Sequence, residues 1–403
     1  MRSPPFRLRP DTLALTATLA LLTSLGPLST DMYLPALPAI ATALAATTAQ
    51  TQATLSAFLV GFACGQFLYG PLSDRIGRKP LLVVGLALFL VATVACALAP
   101  TIEALSAARF VQALGASGPI VLARAIVRDL YEGPRAGREL SRMGSIMGLV
   151  PALAPILGGL IFAGFGWRAI FTATAIGGAA LAVVVVLALP ETLRARDPSP
   201  LSLGAILRGF RDLLRHPAYR TYVALTTLTY SGLFAFISGS SFVLQGAYGL
   251  SELAYAFSFA FMVAGYIGGT LVAQRIVPGR GLDGTIALGV AAQAAGGGLM
   301  LALALVGTGS SLEITGPMAL YALGVGLTMP QSLAAAMQPF PARAGAASSL
   351  LGIVQMSVAA LVGIGLAAAV ARTALALPTG IALLGALAAL VFALSRGARA
   401  ARQ

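Results

Sequence analysis

Residues 70–99 read GPLSDRIGRKPLLVVGLALFLVATVACALA, and this stretch joins a charged segment to an uncharged one. All of its charged side chains lie between residues 74 and 79, whereas residues 80–99 carry none. A run of about 20 apolar residues is long enough for an α-helix to cross the hydrocarbon core of a bilayer. The stretch therefore predicts a membrane-spanning helix that follows a short charged loop at the membrane surface.

The same alternation of apolar runs and short polar loops continues along the chain. Of its 403 residues, 58% are hydrophobic and 10% are charged, with a mean hydropathy of +0.89, whereas a soluble domain carries about 25% charged residues. At about 20 residues per crossing, we predict an all-α membrane protein with twelve transmembrane helices, at residues 12–34, 51–72, 80–99, 104–127, 140–163, 168–189, 219–244, 252–274, 284–307, 313–335, 345–371 and 374–394.

The positive charges are distributed unevenly between the two sides of these spans. A net charge of +13 would suggest nucleic-acid binding in a soluble protein. Here nearly all loop arginines lie on the side of the N-terminus, and the opposite loops carry only Arg168 and Arg372. This positive-inside bias predicts a multi-pass membrane protein with both termini in the cytoplasm, and it explains the net charge without a nucleic-acid partner.

The longest polar interruption divides the predicted spans into two groups of six. We therefore predict an N-terminal half at residues 1–189, a cytoplasmic linker at 190–217 and a C-terminal half at 218–403. The similarity of residues 74–76 (DRI) and 274–276 (QRI) favours an internal repeat, although chance explains three positions equally well. Two parallel halves predict alternating access to a binding site at the midplane.

The loop at residues 70–80 carries groups that suit a gate. Gly70 permits close helix contact, and Asp74 can cap a helix or pair across the interface between the halves. Arg75 and Arg78 can bind helix-end carbonyl groups or acids. A charge latch of this kind would favour one access state, whereas the alternative is a simple turn with cytoplasmic arginines.

The complete string resembles the loop signature G-x-L-x-D-R-x-G-R-K/R of the major facilitator superfamily. It matches that signature at Gly70, Leu72, Asp74, Arg75, Gly77, Arg78 and Lys79. The resemblance implies the major facilitator fold, a monomer, and a loop that stabilises the outward-facing state and couples gating to transport.

Two further stretches resemble motifs of this superfamily. Residues 105–129, LSAARFVQALGASGPIVLARAIVRD, resemble its fourth-span motif, with Arg109, Gln112 and Gly115 at the expected spacing. Residues 149–159, LVPALAPILGG, resemble the fifth-span motif of proton-driven exporters, except that Ala154 replaces a glycine.

The fifth-span stretch also has a direct physical meaning. Pro151 and Pro155 bend a helix and free backbone carbonyl groups, and Gly158 and Gly159 allow close packing against a neighbouring helix. This antiporter-type kink favours export, although an ordinary kinked membrane helix would show the same bend.

Three shorter stretches indicate a branch of the superfamily. Residues 29–38 (STDMYLPALP), 124–131 (RAIVRDLY) and 166–171 (GWRAIF) resemble the bicyclomycin/chloramphenicol-resistance (Bcr/CflA) branch of the drug/proton antiporters. The resemblance covers the first half of the chain. It implies a location in a bacterial inner membrane. It also implies multidrug efflux of amphipathic antimicrobials of the phenicol or bicyclomycin type, driven by the proton gradient without a cofactor.

Asp31 is an acid near the end of an otherwise uncharged predicted span. A charge inside a span costs about 3 kcal/mol on insertion scales, so the carboxylate should face the bundle interior, have a partner or bind a proton. Burial favours the protonated form and a nearby cation favours the carboxylate. Arg109, at a comparable depth in the fourth span, is the predicted partner in proton coupling. A static Asp31–Arg109 pair is the alternative, and Arg124 is expected to pair with Asp129 or to hold a helix end.

Five residues are predicted to line the substrate cavity: Tyr33, Gln112, Tyr230, Phe234 and Gln355. Tyr33 would either hydrogen-bond a substrate or anchor at the membrane interface, where tyrosine is enriched. For the other four, packing inside the bundle is the alternative.

Two rival functions follow from the same residues. A proton symporter that imports a small metabolite is the first, since Ala154 departs from the exporter motif. A membrane enzyme or sensor is the second, but the sequence contains no H-E-x-x-H, G-x-S-x-G or Walker pattern. We therefore predict a transporter, not an enzyme, whose partners are a small-molecule drug, protons and the lipid bilayer, with no metal.

Overall fold

The computed structural model describes residue 8 and residues 10–131, 134–147, 149–193, 203–307, 309–340 and 343–400. These residues form fifteen α-helices: α1 Leu13–Asp31, α2 Leu37–Ala43, α3 Thr48–Ile76, α4 Arg78–Leu98, α5 Ile102–Leu130, α6 Pro134–Met147, α7 Val150–Phe165, α8 Trp167–Ala188, α9 Leu203–Arg215, α10 Pro217–Ser241, α11 Glu252–Val306, α12 Leu312–Met337, α13 Ala344–Val370, α14 Ala376–Leu394 and α15 Arg396–Ala400.

Ten helical segments in the described part of the chain are long and apolar enough to cross a membrane. The helix α7 is apolar but has only 16 residues. The helix α11 has 55 residues, and a straight helix of that length would measure about 80 Å, against a hydrocarbon core of about 30 Å. It is broken at Gly281, where φ is 67° and ψ is −179°. The predicted all-helical, multi-pass membrane fold is therefore confirmed.

Within the first predicted span, residues 12–34, the α-helix ends earlier than expected, although the apolar helical segment continues to Ala43. The helix α1 stops at Asp31, and a 3₁₀ turn, Leu34–Ala36, leads into α2. Pro35 explains the stop, because it has no N–H to donate to the carbonyl of Asp31, four residues earlier, and its ring crowds that carbonyl. Asp31 consequently lies at a helix end, where the chain turns, and not inside a continuous helix.

The fifth predicted span, residues 140–163, is divided between two helices in the described part of the chain, and the crossing itself stays a prediction. The helix α6 ends at Met147 and α7 begins at Val150. Pro151 lies in the first turn of α7, where its missing N–H costs nothing, whereas in the interior of a continuous helix it would break a hydrogen bond. The apolar composition predicted the membrane location but could not show this break.

The chain forms two compact units, one of Met1–Ala36 with Ala57–Leu201 and one of Leu37–Ser56 with Ser202–Gln403. In the first unit α4 packs against α5 and α8, and α1 packs against α5, α6 and α7. In the second unit α10 packs against α12, α13 and α14. The predicted division at residues 189 and 218 stays a prediction, and residues 194–202 of the predicted linker lie outside the described residues.

Candidate functional site

Asp31 lies in a buried turn at the end of α1. The residue is only 6% exposed. Among the described residues, no lysine, arginine or histidine nitrogen lies within 4.0 Å of its carboxylate. A carboxylate in such a place must bind a proton or acquire a cationic partner, because an isolated buried charge is too costly.

Arg109 is fully buried in α5 and contacts the same turn. Its Nη1 donates to the backbone oxygen of Ser29 at 2.9 Å. Its guanidinium carbon lies 4.9 Å from the ring centroid of Tyr33 and 4.3 Å from that of Phe58. The arginine is thus held by a backbone carbonyl of α1 and by two aromatic faces.

The predicted Asp31–Arg109 ion pair is not formed in this structure, and the role of the two residues in proton coupling stays a prediction. The acceptor is the carbonyl of Ser29, two residues before Asp31. The Nε and Nη2 atoms of Arg109 are buried and have no hydrogen-bond partner among the described residues. Two unsatisfied donors of a buried cation carry a substantial free-energy penalty, so this arginine has donors left for a ligand, water or a rearranged carboxylate.

Gln112 fixes the orientation of Arg109. Its Oε1 accepts from Arg109 Nη1 at 2.7 Å, while its Nε2 donates to Thr93 Oγ1 at 2.9 Å. Tyr33 packs against Phe171, with the ring centroids 5.5 Å apart. Both Gln112 and Tyr33 were predicted to line a cavity, and the structure places both around the guanidinium with no exposed surface.

The fifth-span motif also meets the turn that contains Asp31. Gly158 of α7 lies against the backbone of Met32, and a methyl group at Gly158 would lie 2.7 Å from the Met32 carbonyl carbon. Pro155 and Gly159 are buried on the same helix. The predicted kink region in α7 therefore packs directly against the turn after Asp31.

The remaining predicted cavity residues belong to the second unit. Tyr230 and Phe234 stack on α10 with ring centroids 6.4 Å apart, and Phe234 also lies against Gly363 of α13. Gln355 is buried on α13. Their role in binding stays a prediction.

Arg78 is the centre of the predicted gating loop. Its Nε donates to Asp129 Oδ2 at 2.9 Å, and its Nη1 donates to Asp74 Oδ1 at 2.6 Å and to Ser73 Oγ at 2.5 Å. Thr192 Oγ1 donates to the same Asp129 oxygen at 3.1 Å. The buried guanidinium thus joins the end of α3, the start of α4 and the end of α5, and Asp129 links this group to the segment after α8.

Glu191 caps the helix that follows the loop. Its carboxylate accepts from the backbone N–H groups of Arg78 and Lys79 at 3.0 and 3.2 Å, which are orphan donors at the start of α4. Gly77 has a φ of 114°, a left-handed value that favours glycine. Its missing side chain leaves room for Glu191, whose Oε2 would lie 2.5 Å from an added methyl group.

Several details of this loop differ from the sequence interpretation. Asp74 pairs with Arg78 of its own loop, and Asp129 pairs with Arg78, not with Arg124. The capping of α4 by Glu191 has no counterpart in the sequence interpretation. The order of the predicted spans could have suggested this contact. The sixth span ends on the same side of the membrane as residues 70–80, so an acid just after it can reach that loop.

We expect Arg78→Gln to destabilise the protein by about 3 kcal/mol, because Asp129 would lose its buried cationic partner. The matched control is Arg75→Gln on the same loop, since Arg75 has no acid within 4.0 Å in the described part. Thermal unfolding midpoints of the purified proteins in one detergent measure the difference. Equal midpoints for the two variants would contradict the assigned role of Arg78.

Known proteins match both the sequence and the fold of this chain. The sequence profile of the Major Facilitator Superfamily matches residues 19–364. Multidrug resistance protein MdtL of Escherichia coli O9:H4 (strain HS) is 35% identical over 348 residues, which are 85% of this chain and 87% of that protein. A bicyclomycin resistance protein homolog of Haemophilus influenzae is 31% identical over 350 residues, which are 86% and 87% of the two chains.

A solved structure of low sequence identity shows the same fold. The crystal structure of a D-xylose-proton symporter aligns with a TM-score of 0.74, over 94% of this chain and 97% of that chain, at 17% identity. At this identity the likeness concerns the fold alone. Since the sequence profile and both relatives cover most of the chain, this protein belongs to the Major Facilitator Superfamily, a family of membrane transporters.

Proposed function

We propose that this protein is a drug/proton antiporter that exports amphipathic antimicrobials across the inner membrane of a bacterium. The observation that carries the proposal is the buried carboxylate of Asp31, which has no cationic partner among the described residues. Protons are the smallest ligands that can neutralise such a group. The proposed driving force is the proton gradient, with no cofactor.

The proposed topology has twelve crossings with both termini in the cytoplasm. Support comes from the ten long apolar segments, from the break of α11 at Gly281 into two helices, and from the short apolar helix α7. The positive-inside distribution of arginine supports the orientation.

In the proposed cycle a proton on Asp31 and the drug compete, because each favours a different access state. A proton from outside binds Asp31, drug is released outward, and the protonated carrier resets toward the cytoplasm, where drug binding releases the proton. Exchange requires only that the two ligands favour different states. Arg109 has two unsatisfied donors and is held in place by Gln112. We propose that it changes its contacts when Asp31 gains or loses a proton.

The proposed substrates are phenicol-type and bicyclomycin-type antimicrobials. The names of the two relatives, one for bicyclomycin resistance and one for multidrug resistance, support this class. Tyr230, Phe234 and Gln355 are proposed contacts of the drug, because aromatic faces and an amide suit an amphipathic molecule. The Arg78 network is proposed to stabilise the outward-facing state.

The alternative is a symporter that imports a metabolite, and Ala154 in the fifth-span motif is the observation that favours it. Accumulation of labelled chloramphenicol in a bacterium without its own efflux pumps separates the two. We expect expression of the protein to lower accumulation, and a proton uncoupler to restore it. Unchanged accumulation of every drug in a panel with bicyclomycin and chloramphenicol would contradict export.

A further inference from the structure

The helix α9 precedes a membrane-spanning helix at a sharp turn. It ends at Arg215, and His216 has an extended conformation, with φ of −78° and ψ of 119°, as expected for a residue before a proline. Pro217 then begins α10. The ring of His216 packs against Phe340, with centroids 5.3 Å apart, so this contact fixes the turn at the start of α10.

One side of α9 packs on the core of the second unit. Leu213 is 1% exposed and belongs to the same apolar cluster as Tyr219 and Tyr222, and Phe210 packs against that cluster. These contacts hold α9 against the bundle and determine which of its faces are exposed.

Beyond this core face, α9 carries two adjacent exposed stripes of different chemistry. Leu207 and Leu214 are 55% and 40% exposed, and residues seven apart lie on one side of a helix. Arg208, Arg211 and Arg215 are exposed and have the same kind of spacing, which places them in a stripe next to the leucines.

The charges of this arginine stripe are largely uncompensated in the described part of the chain. Arg215 lies 3.9 Å from Asp212, in a pair whose arginine side chain is 70% exposed. Arg208 and Arg211 have no acid within 4.0 Å among the described residues. Around the helix, at about 100° per residue, the order is core face, exposed leucines, arginines and then Asp212.

We propose that α9 lies in the membrane interface and binds anionic phospholipid headgroups through Arg208, Arg211 and Arg215. The order of faces is the one an interfacial helix needs, with leucines toward the acyl chains, arginines at the level of the phosphates and Asp212 toward water. A positive stripe beside an apolar stripe matches an anionic lipid, which offers both an acyl chain and a negative headgroup. The proposal is independent of the transported substrate.

The test places a fluorescent reporter on the leucine stripe. The chain has one tryptophan, so Trp167→Phe gives a background without tryptophan, into which Leu207→Trp or Leu214→Trp is introduced. The purified full-length variants are reconstituted into phosphatidylcholine vesicles that contain a minor fraction of phosphatidylglycerol. Either phosphatidylglycerol or an equal fraction of phosphatidylcholine carries bromine on its acyl chains and quenches nearby tryptophan.

We expect brominated phosphatidylglycerol to quench the reporter more strongly than the same fraction of brominated phosphatidylcholine. Replacing Arg208, Arg211 and Arg215 by glutamine should remove the preference, at about fivefold in relative lipid affinity for each arginine. The control is Arg372→Gln, which changes an exposed arginine just after the C-terminal end of α13. Equal quenching by both lipids at both reporter positions, or a preference that survives loss of the three arginines, would overturn the proposal.

Discussion

Asp31→Asn is expected to abolish proton-driven drug transport while the protein still folds and inserts. Asparagine has nearly the shape of aspartate but cannot bind and release a proton, so drug flux would no longer depend on the proton gradient. In proteoliposomes, a pH gradient should drive drug accumulation by the native protein, and the variant should fall to the level of protein-free vesicles. Exchange of labelled for unlabelled drug without a gradient should persist.

Glu103→Gln is the matched control for this substitution. Glu103 is also an acid near a span end, but it lies exposed in the first turn of α5, so its loss should leave gradient-driven accumulation unchanged. Full accumulation by Asp31→Asn would make Asp31 a structural residue. Loss of accumulation in both variants would show that the effect is not specific to the buried carboxylate.

Gly158→Ala is expected to have the second largest effect, because α7 and the turn after Asp31 are in backbone contact. The added methyl group would collide with the carbonyl group of Met32, and the neighbour is backbone, which cannot rotate away as a side chain can. Overpacking of this kind costs about 1–3 kcal/mol. Since the displaced residue is adjacent to Asp31, drug transport should fall together with the thermal unfolding midpoint.

Gly164→Ala tests whether the effect depends on position and not on the added methyl group. Gly164 lies on the same helix, and a methyl group there would meet no heavy atom within 4 Å. Alanine is the better helix former, so Gly164→Ala should keep or slightly raise the unfolding midpoint and keep transport. If Gly158→Ala behaves like Gly164→Ala in both measurements, the close contact with Met32 is not a constraint on the site.

The spans could be predicted from the sequence because about twenty uncharged residues leave few alternatives in a bilayer. The details that failed are local. The break between α6 and α7 depends on how one proline is accommodated, and the end of α1 at Asp31 depends on Pro35. Neither changes the apolar composition from which the spans were predicted.

The site was predicted less completely, for a different physical reason. Depth along two helices places Asp31 and Arg109 at one level, but it specifies neither the direction of a side chain nor a backbone acceptor such as Ser29. The partners of Arg78 likewise include Asp129, 51 positions away, and its N–H is capped by Glu191, 113 positions away. One sequence does not show which of several acids on one side of a membrane will meet a given arginine.

Drug-induced proton release from inverted membrane vesicles tests the central claim most directly. Respiration acidifies the vesicle interior, and a pH-sensitive dye reports the proton gradient before and after a drug is added to the outside. For antiport, chloramphenicol or another drug of the panel should lower the gradient in vesicles that contain this protein, and not in vesicles without it or with Asp31→Asn. A gradient that no drug of the panel changes, in vesicles that contain the folded protein, would contradict drug/proton exchange.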